Sequence, residues 1–238
     1  MSSPTEPKIA SSLQEGYQHQ HTPPNILLAV TGSVAAIKCP EIAVRLVKEC
    51  KANVKVLLSQ GGKNFWDKSK GYNEEYWDLL LEEVNNSESV SIIHADDEWK
   101  EWNQLGDPVL HIDLRDWADL MLVAPLSAHT LAKLAHGFCD DTVSCVVRAW
   151  DFGHGIRPGK PLLLAPAMNT AMWQHPLTLQ QLDTICGFWN FQGDSRNGIQ
   201  IVEPQEKKLA CGEIGNGALA SVDVIIDAVR TRFNMKDI

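Results

Sequence analysis

The chain has 238 residues, of which 44% are hydrophobic and 21% are charged, and its formal net charge is −9 at pH 7. This composition is typical of a soluble globular domain, and no apolar run approaches the roughly 18 residues that a membrane helix needs. The negative charge, without a Lys/Arg cluster, argues against a dominant role in nucleic-acid binding. We therefore expect a small molecule or a protein as the partner.

The six cysteines form no CxxC pair, and the first 24 residues are polar and lack the apolar core of a secretory signal. We predict a disordered tail over residues 1–24 and a single domain over residues 25–238, with no metal centre. The expected location is cytoplasmic, and an additional nuclear location stays open.

The domain begins with a continuous apolar run at residues 26–30, which predicts a strand buried on both faces. A turn of small residues, Thr31-Gly32-Ser33, leads into a helical pattern over residues 34–51. A second strand is predicted at residues 54–58, followed by another small-residue turn at residues 59–62. A helix N-terminus after such a turn can bind phosphate, although the residues alone also fit a plain connection between a strand and a helix.

An acidic helix is predicted at residues 73–84 and a short strand at residues 90–93. His111 then stands in the segment GDPVLHIDLR (residues 106–115), between a turn and a charged helix start. An imidazole can transfer protons near neutral pH. Its apolar neighbours are equally compatible with a hydrogen-bonded core histidine.

Two more apolar strands, at residues 119–124 and 161–165, end in Ala-Pro and open into polar loops that contain Ser127 and Asn169. Because parallel strands end at one edge of a sheet, both residues should meet Gly32 and Ser33 there. Helices are predicted at residues 128–136, 140–150, 172–182 and 222–233, and a strand at residues 199–202. The fold class is therefore α/β, with a doubly wound parallel sheet between two layers of helices.

A flap is predicted within residues 204–220, because residues 207–217 combine Cys211 with three glycines. We expect this segment to be mobile rather than packed. An isolated cysteine in other surroundings would be interpreted as a small buried hydrophobic residue.

Taken together, five segments resemble the flavin-containing cysteine decarboxylases. They are TGSVAAIK (residues 31–38), GDPVLHIDLR (106–115), WADLMLVAPLSA (117–128), PAMNTAMW (166–173) and LACGEIGNGALA (209–220). The closest resemblance is to the eukaryotic branch that decarboxylates 4′-phosphopantothenoylcysteine in coenzyme A biosynthesis. It implies a flavodoxin-like or Rossmann-like sheet and a homotrimer with FMN at each subunit interface.

The same resemblance implies residue roles. His111 would be the acid/base of oxidation and decarboxylation, and Cys211 would protonate the enethiol that decarboxylation leaves. The implied substrate-binding residues are Asn169, Met172, Lys208, Ala210 and Leu219. The implied cofactor-binding residues are Gly32, Ser33, Val34, Ser59, Gln60, Gly61, Ser127, Ala128, His129, Thr130 and Ala167.

Some alternatives remain open. Asn169 could simply cap a turn, Met172 could pack in the core, and His129 stands where the family usually has asparagine. Fungal relatives inhibit a protein phosphatase, and other relatives decarboxylate peptides or transfer prenyl groups. The presence of both His111 and Cys211, and the lack of a long acidic C-terminal tail, favour the enzyme over the inhibitor.

Overall fold

A six-stranded parallel sheet organises the computed structural model, which describes residues 22–87, 89–94, 97–100, 102–155, 157–188, 198–208 and 214–235. The strand order is β3-β2-β1-β4-β5-β6. The strands are β1 (Asn25–Val30), β2 (Asn53–Leu58), β3 (Val90–His94), β4 (Leu120–Leu126), β5 (Leu162–Pro166) and β6 (Ile199–Ile201). The predicted doubly wound sheet is confirmed. Its strand order is that of Rossmann-like sheets, in which the order of the parallel strands reverses between β1 and β4, the topological switch point.

Helices cover both faces of this sheet. They are α1 (Cys39–Cys50), α2 (Gln60–Trp66), α3 (Ser69–Tyr72), α4 (Glu74–Glu82), α5 (Leu110–Trp117), α6 (Ala128–His136), α7 (Thr142–Arg148), α8 (Thr170–Trp173), α9 (Pro176–Gly187) and α10 (Val222–Arg232). A 3₁₀ helix (Val34–Lys38) precedes α1, and a π-helical turn (Glu83–Ser87) follows α4.

Alternate residues of β1 belong to opposite layers of the core. Ile26 and Leu28 pack in the cluster that contains residues of α1, α4 and α10, whereas Leu27 and Ala29 pack with residues of α5, α6, α7 and α9. Burial on both faces explains the unbroken apolar run in the sequence. In the described part of the chain, no helix is both long enough and apolar enough to cross a membrane.

Two of the predicted helices are each divided near a proline. The pattern at residues 34–51 forms a 3₁₀ helix and then α1, whose first turn contains Pro40. The pattern at residues 172–182 forms α8 and then α9, which starts at Pro176. Proline has no N–H to donate inside a helix but is well accommodated in the first turn, so each helix restarts there.

Two other predictions were wrong. Residues 60–62, predicted to be part of a turn, begin helix α2, and the strand predicted to end at residue 124 continues to residue 126. Ser59 accepts a hydrogen bond from the Gly62 N–H and thereby caps α2. Strand β4 continues through Pro125 to Leu126, with a shift in its register against β5 and a cis peptide bond between Ala124 and Pro125. The loop that contains Ser127 therefore starts later than predicted.

The predicted flap is a β-hairpin where the structure describes it. Strand β7 (Gln205–Lys208) pairs antiparallel with β8 (Ile214–Ala218). The Met168 N–H donates to the Gly217 carbonyl over 2.9 Å, which ties β8 to the loop after β5. Strand β8 is thus a packed element, contrary to the expectation of mobility, while Cys211 lies outside the described residues.

The Thr31 hydroxyl joins the ends of β1 and β4. Its Oγ1 donates to the Pro125 carbonyl over 2.7 Å and accepts from the Ser127 N–H over 2.8 Å. Thr31 is fully buried, so neither backbone group could turn to water if the hydroxyl were removed. This side chain sets the spacing between the two loops that follow the central strands.

We expect Thr31→Val to destabilise the fold by about 1–3 kcal/mol, because it keeps the shape of the side chain but leaves the buried Ser127 N–H without an acceptor. The Pro125 carbonyl loses one of its two hydrogen bonds and keeps the one from the Thr31 N–H, at 3.3 Å. Thr31→Ser, which retains the hydroxyl, is the matched control. Denaturant unfolding of the apoprotein followed by circular dichroism measures the difference. Equal stability of the valine and serine variants would contradict the role given to this hydroxyl.

Candidate active site

A cavity of 630 Å³ lies at the carboxyl edge of the sheet, at the topological switch point between β1 and β4. Its volume is within the range of small-molecule sites, about 300–1,000 Å³. The three loops that were expected to converge all reach this cavity, and with the helix starts that follow two of them they supply Gly32, Ser33, Val34, Ser127, Ala128, Ala167 and Asn169 to its wall. The predicted meeting of these loops at one edge is therefore seen in the structure.

A second cavity of 430 Å³ adjoins the first. The two share Gly32, Ser127 and His129 in their walls. The second is otherwise polar and is lined by Ser59, Gln60, Gly61, Thr130, Lys133, Asp140 and Asp141. All eleven residues predicted to bind the cofactor thus line one cavity or the other.

The turn after β1 and the first turn of helix α2 touch at two glycines. A Cβ atom on Gly61 would lie 2.9 Å from the Gly32 Cα, and one on Gly62 would lie 2.2 Å from the Val30 carbonyl oxygen. Real Cβ atoms do not approach other atoms this closely, so larger residues would push α2 away from β1 and the turn that follows it. The sequence has glycine here because the two backbones meet beneath the shared wall of the cavities.

Serines begin the helices around this edge. Ser33, Ser59 and Ser127 cap the 3₁₀ helix, α2 and α6, each by accepting a hydrogen bond from a backbone N–H. Within the described residues, the N–H groups of Gly32 and Val34 donate to no backbone or side-chain acceptor. Such unpaired N–H groups beside hydroxyls form a donor set suited to a phosphate or another anion.

Lys133 is the cation of the second cavity. Its Nζ donates to Asp140 and Asp141 at 2.8 and 2.7 Å. Burial opposes its charge, but these two hydrogen bonds outweigh burial and raise the pKa of Lys133. Because two carboxylates face one ammonium group, anion binding must depend on backbone and hydroxyl donors rather than on this lysine.

The apolar wall of the first cavity contains Phe65, Ala167, Met168, Met172 and Leu219. Met172 is 52% exposed, so the alternative of core packing for this residue was wrong. Asn169 does cap a helix, since its Oδ1 accepts from the Met172 N–H at 2.8 Å, and it also lines the cavity. The capping role and the binding role are therefore compatible.

Gly217 and Leu219 bring the end of the hairpin to the same cavity. Gly217 has a φ of +97°, and a Cβ there would lie 2.8 Å from that of Trp173 and 2.9 Å from the Met168 carbonyl oxygen. Only glycine fits this position without strain. Lys208 ends β7, although its side chain, like Ala210 and Cys211, is outside the described residues.

His111 occupies the second position of α5 and lines neither cavity. Its Nδ1 is hydrogen-bonded to Oε1 of Glu98, and the side chains of the two residues are 20% and 10% exposed. Glu98 was not predicted as a functional residue. The pair lines neither cavity of its own chain, and the resemblance implied that His111 serves the site of a neighbouring subunit.

Comparison with known proteins also indicates a flavin-binding protein. The model of the Flavoprotein family matches residues 14–234. A probable phosphopantothenoylcysteine decarboxylase of Arabidopsis thaliana is 43% identical over 207 residues, covering 87% of each chain. The match to the family includes part of the segment expected to be a tail, most of which lies outside the described residues.

Two solved structures are similar to this chain. One is a cysteine-to-serine mutant of PPC decarboxylase complexed with pantothenoylaminoethenethiol, with 38% identity, a TM-score of 0.70 and coverage of 90% of this chain and 100% of that chain. The other is the FMN binding protein AtHal3, with 39% identity, a TM-score of 0.70 and coverage of 91% of this chain and 100% of that chain.

We expect Gly61→Ala to weaken FMN binding by about tenfold or more, which corresponds to about 1.4 kcal/mol, because the added Cβ separates α2 from the turn after β1. Gly71→Ala is the control, since a Cβ at Gly71 meets nothing within 4 Å. Titration of the apoproteins with FMN, followed by quenching of flavin fluorescence, measures both. Equal affinities would show that the contact between Gly32 and Gly61 does not shape the cofactor site.

Proposed function

Because this chain belongs to the Flavoprotein family, we propose that it is an FMN-dependent enzyme that decarboxylates 4′-phosphopantothenoylcysteine to 4′-phosphopantetheine. The observation that carries the proposal is the pair of adjoining cavities at the switch point of the sheet, one polar and one largely apolar. This division matches a flavin with a phosphate at one end and an apolar ring system at the other. Relatives and solved structures named for the same activity support it.

The residues present fit FMN. The unpaired N–H groups of Gly32 and Val34, with the hydroxyls of Ser33, Ser59 and Ser127, would hold its polar groups, and Ala167 would lie against its ring. When bound, FMN supplies reversible two-electron oxidation of the cysteine thiol, which places the carboxylate β to a thiocarbonyl and makes loss of carbon dioxide feasible.

The side chains of the protein would transfer the protons and bind the charged groups of the substrate. His111 would accept the thiol proton during oxidation, and Asn169 would hold the substrate carboxylate by its amide. An amide binds the carboxylate without a full positive charge, which would stabilise the ground state and oppose loss of carbon dioxide. Met172 and Leu219 would contact the substrate from the wall of the cavity. Lys208 and Ala210 would contact it as well, as the resemblance implies.

Cys211 would deliver the proton that the enethiol product of decarboxylation requires before it is reduced. A thiol is a far better proton donor than a serine hydroxyl. The solved complex of a cysteine-to-serine mutant of PPC decarboxylase with pantothenoylaminoethenethiol supports this assignment by analogy.

The assembly would be a homotrimer in which a neighbouring subunit supplies His111 to the cavity that contains Asn169. Supporting this, His111 lines neither cavity of its own chain. Trp99, Trp102 and Leu105, which precede it, are 62%, 43% and 97% exposed. Large apolar side chains so exposed beside a reactive group are typical of a protein interface.

The first test is turnover. We expect the purified protein to carry FMN, to release carbon dioxide from 4′-phosphopantothenoylcysteine and to act poorly on a peptide with a C-terminal cysteine. Cys211→Ser should still release carbon dioxide but accumulate the enethiol, whereas His111→Asn should release none. Mass spectrometry and flavin absorbance follow both. Preference for the peptide, or wild-type product formation by Cys211→Ser, would contradict the proposed substrate or the role of the thiol.

A mixing experiment tests the shared site. His111→Asn removes the acid/base, while Asn169→Asp keeps a helix-capping oxygen but repels the substrate carboxylate. If neighbouring subunits combine these residues, unfolding and refolding an equal mixture of the two inactive variants should restore activity at about a quarter of the sites. Each variant refolded alone is the control. A mixture that forms trimers yet stays inactive would place both residues of a site in one chain.

A further inference from the structure

Glu98 is a buried acidic residue to which neither the resemblance nor the proposed function gives a role. Its side chain is 10% exposed, and its Oε1 meets Nδ1 of His111. Its Oε2 is buried and has no hydrogen-bond partner in the described part of the chain. Because burying a carboxylate is costly unless it is paired, a buried glutamate in the connection between β3 and α5 requires an explanation.

The backbone around Glu98 is held in place by its acidic neighbours. The Asp97 carboxylate accepts from the His94 N–H at 3.1 Å, and the Lys100 N–H donates to the Asp97 carbonyl at 3.1 Å. Further along, the Asp107 carboxylate accepts from the N–H groups of Asn103 and Gln104, both at 2.8 Å. These bonds shape the connection between β3 and α5 and bring Glu98 to His111 across 13 residues.

The contact determines which nitrogen of His111 can exchange a proton. An ionised carboxylate only accepts hydrogen bonds, so the proton of a neutral His111 must reside on Nδ1. Nε2 then carries the lone pair. It has no partner among the described residues and is absent from the buried unpaired atoms, so solvent reaches it.

We propose that Glu98 is the positioning residue of His111: it fixes the Nδ1–H tautomer and the ring orientation, so that Nε2 is the atom that accepts the substrate proton. The effect on catalysis rests on the proposed function, whereas the effect on the tautomer and orientation of His111 does not. A carboxylate in this position also stabilises the imidazolium that forms after proton transfer.

Glu98→Gln is the principal test, with wild-type and variant proteins assembled, loaded with FMN and labelled with ¹⁵N-histidine. Two-bond ¹H–¹⁵N spectra report the tautomer of each of the eight histidines, and His111→Asn assigns the signal. We expect Nδ1–H in the wild type, and Nε2–H or a mixture in Glu98→Gln. The kcat should fall by about 100-fold, the size expected for a misplaced catalytic group, while KM changes little.

Two further variants separate positioning from folding. Glu98→Asp keeps an anionic acceptor and should retain the Nδ1–H tautomer and recover much of the lost kcat. Asp113→Asn removes the same charge from an exposed position on α5 and should leave tautomer and kcat unchanged. Wild-type His111 with the proton on Nε2, or an unaltered tautomer together with an unaltered kcat in Glu98→Gln, would overturn the inference.

The two proposals fail in different ways. A wild-type protein that retains the Nδ1–H tautomer but does not act on 4′-phosphopantothenoylcysteine would contradict the proposed function and leave the Glu98–His111 arrangement intact. Full turnover with unchanged kcat in Glu98→Gln would contradict the positioning role alone.

Discussion

The buried hydroxyl of Thr31 is the interaction on which the geometry of the site depends. The hydroxyl bonds both to the Pro125 carbonyl near the end of β4 and to the Ser127 N–H just after that strand. The segments that follow the two central strands therefore cannot move independently. Strand β1 also lies between β2 and β4, and the start of α2 packs over the end of β1 so closely that Gly62 has no room for a Cβ. One strand end therefore fixes the floor of both cavities.

The convergence of the loops could be predicted from sequence, because parallel strands that end in small or polar residues share one edge. Helix α2 could not. Its sequence, QGGKNFW, has two glycines of low helix propensity in the first turn, and the helix forms because Ser59 caps it and Trp66 is buried in the core. The glycines of β8 predicted mobility for a similar reason, whereas pairing with β7 and the bond from Met168 order the strand.

Glu98 illustrates a different limit of sequence reasoning. His111 was found through a motif, but its partner is 13 residues earlier, in a connection without helical or strand periodicity. No spacing rule relates two such positions. Their contact depends on side-chain bonds from Asp97 and Asp107 to the backbone, which set the path of the connection, and aspartates at loop positions are too common to indicate that path.

Assembly and proton transfer would then use one surface of the molecule. Burying Trp99, Trp102 and Leu105 lowers the free energy, and a neighbouring subunit that covered them would in this proposal also cover His111 and Glu98. Excluding water lowers the local dielectric constant and strengthens the hydrogen bond between carboxylate and imidazole. The same event that completes the cavity would thus hold His111 more firmly in one tautomer, which gives a physical reason for an acid/base to lie at an interface rather than inside a single chain.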